Sequence, residues 1–261
     1  MTDTPLRVER HDAVTLLTLN LPDRRNAMTA ELTAAWTAAL DGLRGDRDVR
    51  AVVVTGEGSA FCAGGDLSWI GESPDMSVMA LRDRMLPFYK TWLAVRDLDV
   101  PVVAAVNGPA VGAGLCLALA CDLRYAAPGA TFSAPFAKLG MHPGMAATYL
   151  LPEVVGLARA RDLLLTGRRM AAQEAYDIGL VNGVADDVLA HALSVAQGIA
   201  DSAPIAVRLT KAALADAGRS RSIDAALDWE GLAQPVTMAS ADLREGLAAQ
   251  AERRPPRFTG A

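Results

Sequence analysis

The stretch Ser59–Trp69, "SAFCAGGDLSW", follows the apolar run "AVVVT" and sets paired glycines where a strand must become a turn. A second stretch, Val106–Asp122, "VNGPAVGAGLCLALACD", repeats the plan: strand, glycine-rich turn, helix. Glycine at such a junction permits backbone conformations closed to other residues and lets another segment approach closely. Neither turn holds a good nucleophile. What both present is bare backbone, and a chain built around them must be one in which strands feed helices.

The remaining pattern agrees. "LRVERHDAVTLLTLN" predicts a hairpin turning near His11-Asp12. "TAELTAAWTAALDGLR" carries Leu32, Trp36, Leu40 and Leu43 at helical spacing. "VRAVVVTG" and "PVVAAVNG" are unbroken apolar runs, as expected of strands covered on both faces. "MALRDRMLPFYKTWLAVRDL" predicts an amphipathic helix that Pro87 kinks or interrupts. "DLRYAA" and "ATFSAP" read as short strands, and a helix begins at about Gly112. From Pro143 onward the chain reads as mainly helical, apart from "GLVNGVA". Asp242 and Glu245 are placed as a capping box, ahead of a basic, proline-rich tail. Alternating strands and helices imply an α/β layered fold. We divide the chain into a core over residues 1–200 and a helical region over 201–261, with a soft boundary near Asp201–Pro204.

Composition narrows the function classes. In 261 residues, 51% are hydrophobic, enough for a packed core, and the net charge of −5 gives no overall attraction to nucleic acid. Three cysteines, Cys62, Cys116 and Cys121, fit neither a disulfide framework nor a metal pair, and suggest a reduced, cytoplasmic setting. No signal peptide or membrane span is expected, because the apolar stretches are broken by Asn, Gly, Pro or Asp. No metal is expected from the scattered His11, His142 and His191.

The glycine turns also miss the familiar nucleotide and hydrolase patterns. Gly112-Ala113-Gly114 lacks the third glycine of a dinucleotide fingerprint. There is no G-K-[ST] phosphate loop and no G-x-S-x-G elbow. A glycine turn opening a helix does expose N–H groups without intrahelical partners, at the end where the helix dipole favours negative charge. Two such groups aimed at one point form an oxyanion hole, suited to a thioester oxygen or a developing enolate. Tight turns serving only packing are the plain alternative.

Together, "LPDRRNAM" at Leu21–Met28, "AFCAGGDL" at Ala60–Leu67, "PVVAAVNGPAVGAG" at Pro101–Gly114, "ACDLRYAA" at Ala120–Ala127, "LGMHPG" at Leu139–Gly144 and "LLLTGRRMAAQEAYDIGLVN" at Leu163–Asn182 resemble the crotonase (enoyl-CoA hydratase/isomerase) superfamily over nearly the full chain. The resemblance implies a spiral of ββα units with a C-terminal helical trimerisation region. It implies a homotrimer or a hexamer built as a dimer of trimers. It implies a coenzyme A thioester as substrate or ligand, with no resident cofactor. By that pattern the oxyanion-hole N–H groups belong to Gly65 and Ala113. Arg24, Ala27, Ala63, Asp66, Leu67, Gly112, Pro135, Met141, Gly144 and a neighbouring subunit's Arg253 would complete the thioester site. As plain alternatives, Arg24, Arg25 and Arg253 are solvated surface and Asp66 caps the next helix.

The departures bear on the chemistry. The two glutamates that manage water in the hydratases map to Cys116 and Phe136, and Gly144 stands where some isomerase relatives place an aspartate. Cys116 reads as a buried structural thiol; the alternative is a reactive thiol at a helix start. His142 is a further acid–base candidate, because histidine is the residue type most used for proton transfer near neutral pH. Asp75, Glu72 and Tyr149 are weaker ones. Met76, Met79, Met85, Trp69, Phe88 and Trp92 are candidates for an adaptable acyl pocket or for ordinary core. Two functions are expected to compete: an enzyme acting on enoyl- or acyl-CoA by a non-standard mechanism, and an acyl-CoA binder without hydratase chemistry.

Overall fold

The computed structural model describes residues 4–66, 76–220 and 222–261, with the backbone alone for 216–220. Strands β1 (Leu6–His11) and β2 (Val14–Leu19) form the expected antiparallel hairpin, and Asp12 takes the positive φ of 52° at its turn. Helix α1 spans Ala30–Leu43, with the Thr29 side chain accepting from Leu32 N as its cap. β3 (Ala51–Gly56) and β4 (Val102–Val106) continue the sheet in parallel, followed by β6 (Leu123–Ala126) and β9 (Gly183–Val184). Between β3 and β4 lies helix α2 (Val78–Leu93), and Pro87 sits inside it. The sheet order is β1-β2-β3-β4-β6-β9, with every pair after the hairpin parallel.

The unbroken apolar runs follow from this placement. Val52 and Val54 of β3 join Val102, Ala104 and Val106 in the larger core, together with Leu17 and Leu19 of β2. Ala51 and Val53 face the other side, where helix α7 (Val188–Ala200) lays Val188, Ala192, Ala196 and Ala200 against the sheet. Parallel strands covered on both faces need apolar residues at every position, not at alternate ones.

A second sheet was not legible in the sequence as a unit. β5 (Ala110–Val111) pairs in parallel with β7 (Thr131–Ser133), which pairs antiparallel with β8 (Arg169–Ala171). These strands are two or three residues long, too short to show a period. Helix α3 (Ala113–Ala120) leaves β5 directly and is buried along its whole length. α4 (Ala147–Val155), α5 (Leu157–Thr166) and α6 (Ala172–Asp177) complete the core. Helices α8 (Pro204–Ser220), α9 (Ile223–Met238) and α10 (Ala241–Glu252) form the C-terminal region.

One expectation is corrected here. Asp242 and Glu245 do not cap α10; Ser240 does, accepting from Leu243 N. Asp242 is buried and holds the tail, taking the N–H groups of Thr259 and Gly260 at 2.7 and 2.9 Å. Glu245 accepts from the Arg254 guanidinium and from Arg257 N.

Helices α1 and α2 meet through Trp36 and Trp92, both fully buried and stacked with centroids 5.1 Å apart. Their indole N–H groups differ. Trp92 Nε1 donates to Thr33 Oγ1 at 3.1 Å, whereas Trp36 Nε1 has no partner among the described residues. Trp36→Phe removes an unsatisfied donor, while Trp92→Phe takes away the donor to Thr33 Oγ1, whose hydroxyl keeps only its own bond to Thr29 O. In urea unfolding, Trp92→Phe is expected to cost about 1 kcal/mol more than Trp36→Phe; equal costs would show that the hydrogen bond contributes nothing.

Candidate active site

The two glycine turns are zipped together by backbone. Cys62 N donates to Pro109 O at 3.1 Å, and Val111 N returns to Cys62 O at 3.0 Å. A Cβ at Gly114 would lie 2.2 Å from the Cys62 carbonyl oxygen, and one at Gly64 would lie 2.5 Å from Val111 O and 3.2 Å from Ala113 N. Glycine is therefore required at both contacts. The loop ahead of α1 ties down the first turn from the other side: Ala63 N donates to Arg25 O and Met28 N to Gly64 O. Asn26, fully buried at φ 56°, donates to Ala60 O and Glu57 O and accepts from Leu21 N.

The second turn runs through Gly112, at φ 55°, whose N–H donates to Ser133 O. Ala113 opens α3 with a negative φ, so its methyl carries no backbone strain. Among the described residues, the N–H groups of Gly65 and Ala113 have no hydrogen-bond partner. Both residues line one cavity of about 280 Å³.

Many of the sequence candidates converge on this cavity. Ala63, Gly65, Gly112 and Ala113 contribute from the turns. Pro135, Phe136, Met141, His142 and Gly144 contribute from the segment after β7. Met85 and Phe88 of α2 line it as well, but Met79 is exposed and Trp92 belongs to the core. Arg24 lies outside it, paired at 2.7 Å with Asp66. Ala27 is half-buried in the loop that ends at α1. Arg253 is exposed at the end of α10, and Tyr149 is exposed on α4. Leu67, Trp69, Glu72 and Asp75 lie outside the described residues.

No carboxylate side chain lines the cavity among the described residues. Its polar side chains are His142 and Tyr89. The exposed His142 donates from Nδ1 to Pro143 O at 2.8 Å, which leaves Nε2 as the free ring nitrogen. Tyr89 was missed in the sequence, where it is one aromatic among several on an amphipathic helix. Gly64 and Met145 were missed too; Met145, at φ 49°, is buried in the wall.

Cys116 does not reach the cavity as a reactive thiol. It is 1% exposed within α3, with Sγ 3.6 Å from Gly144 O. Burial pushes its pKa up to about 12, and does the same for Cys62 and Cys121. An unfolded thiol titrates near 9.0. Above that value the unfolded chain loses protons that the folded chain keeps, so stability present below pH 9 is lost as the pH rises toward 12. The native protein is expected to leave all three thiols unmodified by iodoacetamide at neutral pH and to release them on denaturation. Rapid native alkylation of Cys116 would overturn this account.

Comparison with known proteins agrees with the geometry. The family model described as enoyl-CoA hydratase/isomerase matches residues 9–261. The protein named as probable enoyl-CoA hydratase EchA14 of Mycobacterium tuberculosis is 46% identical over 219 residues, covering 84% of each chain. The crystal structure of an enoyl-CoA hydratase from Bacillus anthracis superposes with a TM-score of 0.92 at 34% identity, covering 98% of this chain and 100% of that one. One from Polaromonas sp. JS666 gives a TM-score of 0.91 at 32% identity, over 97% and 99% of the two chains. With its paired glycine turns and crotonase-like α/β fold, the chain belongs to the enoyl-CoA hydratase/isomerase family.

Proposed function

We propose that the chain binds an acyl-CoA thioester, with the thioester oxygen held by the N–H groups of Gly65 and Ala113. The observation that carries this reading is the pair of unpartnered backbone donors on one cavity. Donors fixed in place by backbone cost little reorganisation when negative charge develops on the oxygen, as in an enolate. Ala63, Gly112, Pro135, Met141 and Gly144 shape the path of the ligand, and the apolar walls take its acyl group. Arg24, Ala27, Asp66 and a neighbour's Arg253 serve its nucleotide end in this reading, with Leu67 following Asp66 in sequence.

The same cavity supports a specific view of the chemistry. Hydration needs a base beside the attacking water and an acid beside the α-carbon. At the two positions matched to the hydratase glutamates stand Phe136, a hydrocarbon wall, and Cys116, a buried neutral thiol. We therefore assign action on enoyl- or acyl-CoA by a mechanism other than two-carboxylate hydration, with His142 Nε2 the candidate base. The absence of a carboxylate from the described lining also favours the second reading, a binder that carries out no reaction.

Calorimetry with butanoyl-CoA tests the binding mode. Ala113→Pro removes one donor and is expected to weaken binding, whereas Ala113→Ser keeps the N–H and is expected to bind as wild type does. Equal affinity in folded samples of all three would remove the oxyanion assignment. The same preparations are expected to hydrate crotonyl-CoA several orders of magnitude more slowly than a two-glutamate hydratase, because each acid–base group supplies roughly 10²–10⁴. Turnover within about tenfold of that control would instead demand an unrecognised base.

The C-terminal helices motivate an oligomer. Leu214, Ile223, Leu227, Leu232, Val236 and Leu247 are each exposed by more than half their area. The chain exposes 13850 Å², whereas a folded monomer of 27.4 kDa is expected to expose about 10,900 Å². Residues 201–261 are proposed to cover this apolar surface in a homotrimer, alone or doubled to a hexamer. Sedimentation is expected to give a mass three or six times that of the chain, and Leu232→Asp with Ile223→Asp is expected to lower it. A monomeric wild type would overturn the assignment.

A further inference from the structure

Tyr89 lies on α2, half-buried, and its side chain opens into the cavity. A Cβ built at Gly144 would sit 2.5 Å from the Tyr89 hydroxyl oxygen and 2.9 Å from its ring carbon Cζ. The phenol therefore occupies the space that any side chain at position 144 would fill. Glycine at 144 leaves the phenol its room: the backbone there does not call for glycine, and a side chain would have to push the end of the Tyr89 ring aside.

The described surroundings leave this hydroxyl without a protein partner. Among the described residues, Tyr89 makes no side-chain hydrogen bond, and its ring packs edge-on to Phe88 at 6.1 Å. The Tyr89 hydroxyl is not sealed in the core but stands on the cavity. Burial, with a smaller contribution from the neighbouring Cys116, holds its pKa above the usual phenol value, so it stays a neutral hydroxyl able to donate. Phe88, Met85, Phe136 and Met145 make the walls around it apolar. A polar group in such walls penalises a hydrocarbon ligand that covers it without bonding it, and rewards one that supplies an acceptor.

We propose that Tyr89 is the specificity-determining residue of the acyl site: its hydroxyl, seated against Gly144, hydrogen-bonds an oxygen atom carried on the acyl chain of a bound thioester. The site accordingly selects oxygen-bearing acyl groups, hydroxylated or carbonyl-bearing, over plain hydrocarbon chains of equal length. This rests on the acyl-CoA reading above and adds to it the identity of the group that reads the chain. Gly144 acts here by its size alone, as the gap through which the phenol reaches the ligand.

The test compares 3-hydroxybutanoyl-CoA with butanoyl-CoA by calorimetry on the full chain, as wild type, Tyr89→Phe and Tyr176→Phe, a matched change on α6 outside the cavity. Tyr89→Phe keeps the ring and removes only the hydroxyl. The wild type is expected to prefer the hydroxylated thioester by roughly five- to tenfold, the value of one net hydrogen bond. Tyr89→Phe is expected to bring the two affinities within about twofold, and Tyr176→Phe to leave the preference in place. No preference in wild type, a preference that survives in Tyr89→Phe, or one that disappears in Tyr176→Phe would each overturn the role of Tyr89 while leaving thioester binding intact. Failure of both thioesters to bind wild type would overturn the acyl-CoA reading itself, and the proposal with it.

Discussion

The backbone pairing between the two glycine turns is the constraint on which the rest of the site depends. Cys62 and its neighbours exchange hydrogen bonds with Pro109 and Val111, which fixes one turn against the other. The closeness is possible only because Gly64 and Gly114 have no side chain to intrude on Val111 O and Cys62 O. Everything that follows is positioned from there. Helix α3 begins at Ala113 because β5 ends one residue before Gly112, and Gly112 turns the chain with a positive φ. The N–H groups of Gly65 and Ala113, without partners among the described residues, are the by-product of that geometry: Ala113 is the first residue of a helix, and Gly65 lies in an isolated bridge to Met28 that uses the carbonyl of Gly64.

The cavity beside those donors combines fixed polar backbone with apolar side chains. That combination suits a ligand with a polar carbonyl and a hydrocarbon extension, and it raises the electrostatic value of each donor by excluding water. It also sets the limits of the chemistry. Burial keeps the Cys116 thiol neutral far above physiological pH, so proximity to the cavity does not make it a nucleophile. Among the described residues, the polar side chains that line the cavity are His142 and Tyr89.

The C-terminal helices follow a different logic from the core. Up to Ala200 the buried apolar residues fall mainly in two clusters, one on each side of the main sheet, while some large ones, among them Val8, Val78 and Leu165, stay exposed. From α8 onward many large apolar side chains remain exposed, even though the tail is pinned firmly: Arg50 donates to Ala200 O and Phe258 O, and Asp242 gathers Thr259 and Gly260. A region held in place yet left apolar on its surface has the character of a face made for another protein surface. No helix among the described residues is long and apolar enough to cross a membrane.

The sequence by itself determined the local plan. Apolar runs marked β3 and β4, helical spacing marked α1, and the glycine stretches marked both turns and the helix after the second. These features are legible because their cause lies within a few residues: burial on both faces, a 3.6-residue period, or a conformation that only glycine takes readily. Tertiary structure decided what depends on partners far along the chain. It paired the short strands β5, β7 and β8, whose residues carry no period of their own. It turned Asp242 from an expected helix cap into the anchor of residues seventeen and eighteen positions away. It sealed Cys116 in the core and brought Tyr89 of α2 against Gly144, a contact between residues separated along the chain by β4, the second glycine turn and β6. No local pattern encodes such a meeting, because the space that a side chain fills is set by the packing of elements that the sequence names one at a time.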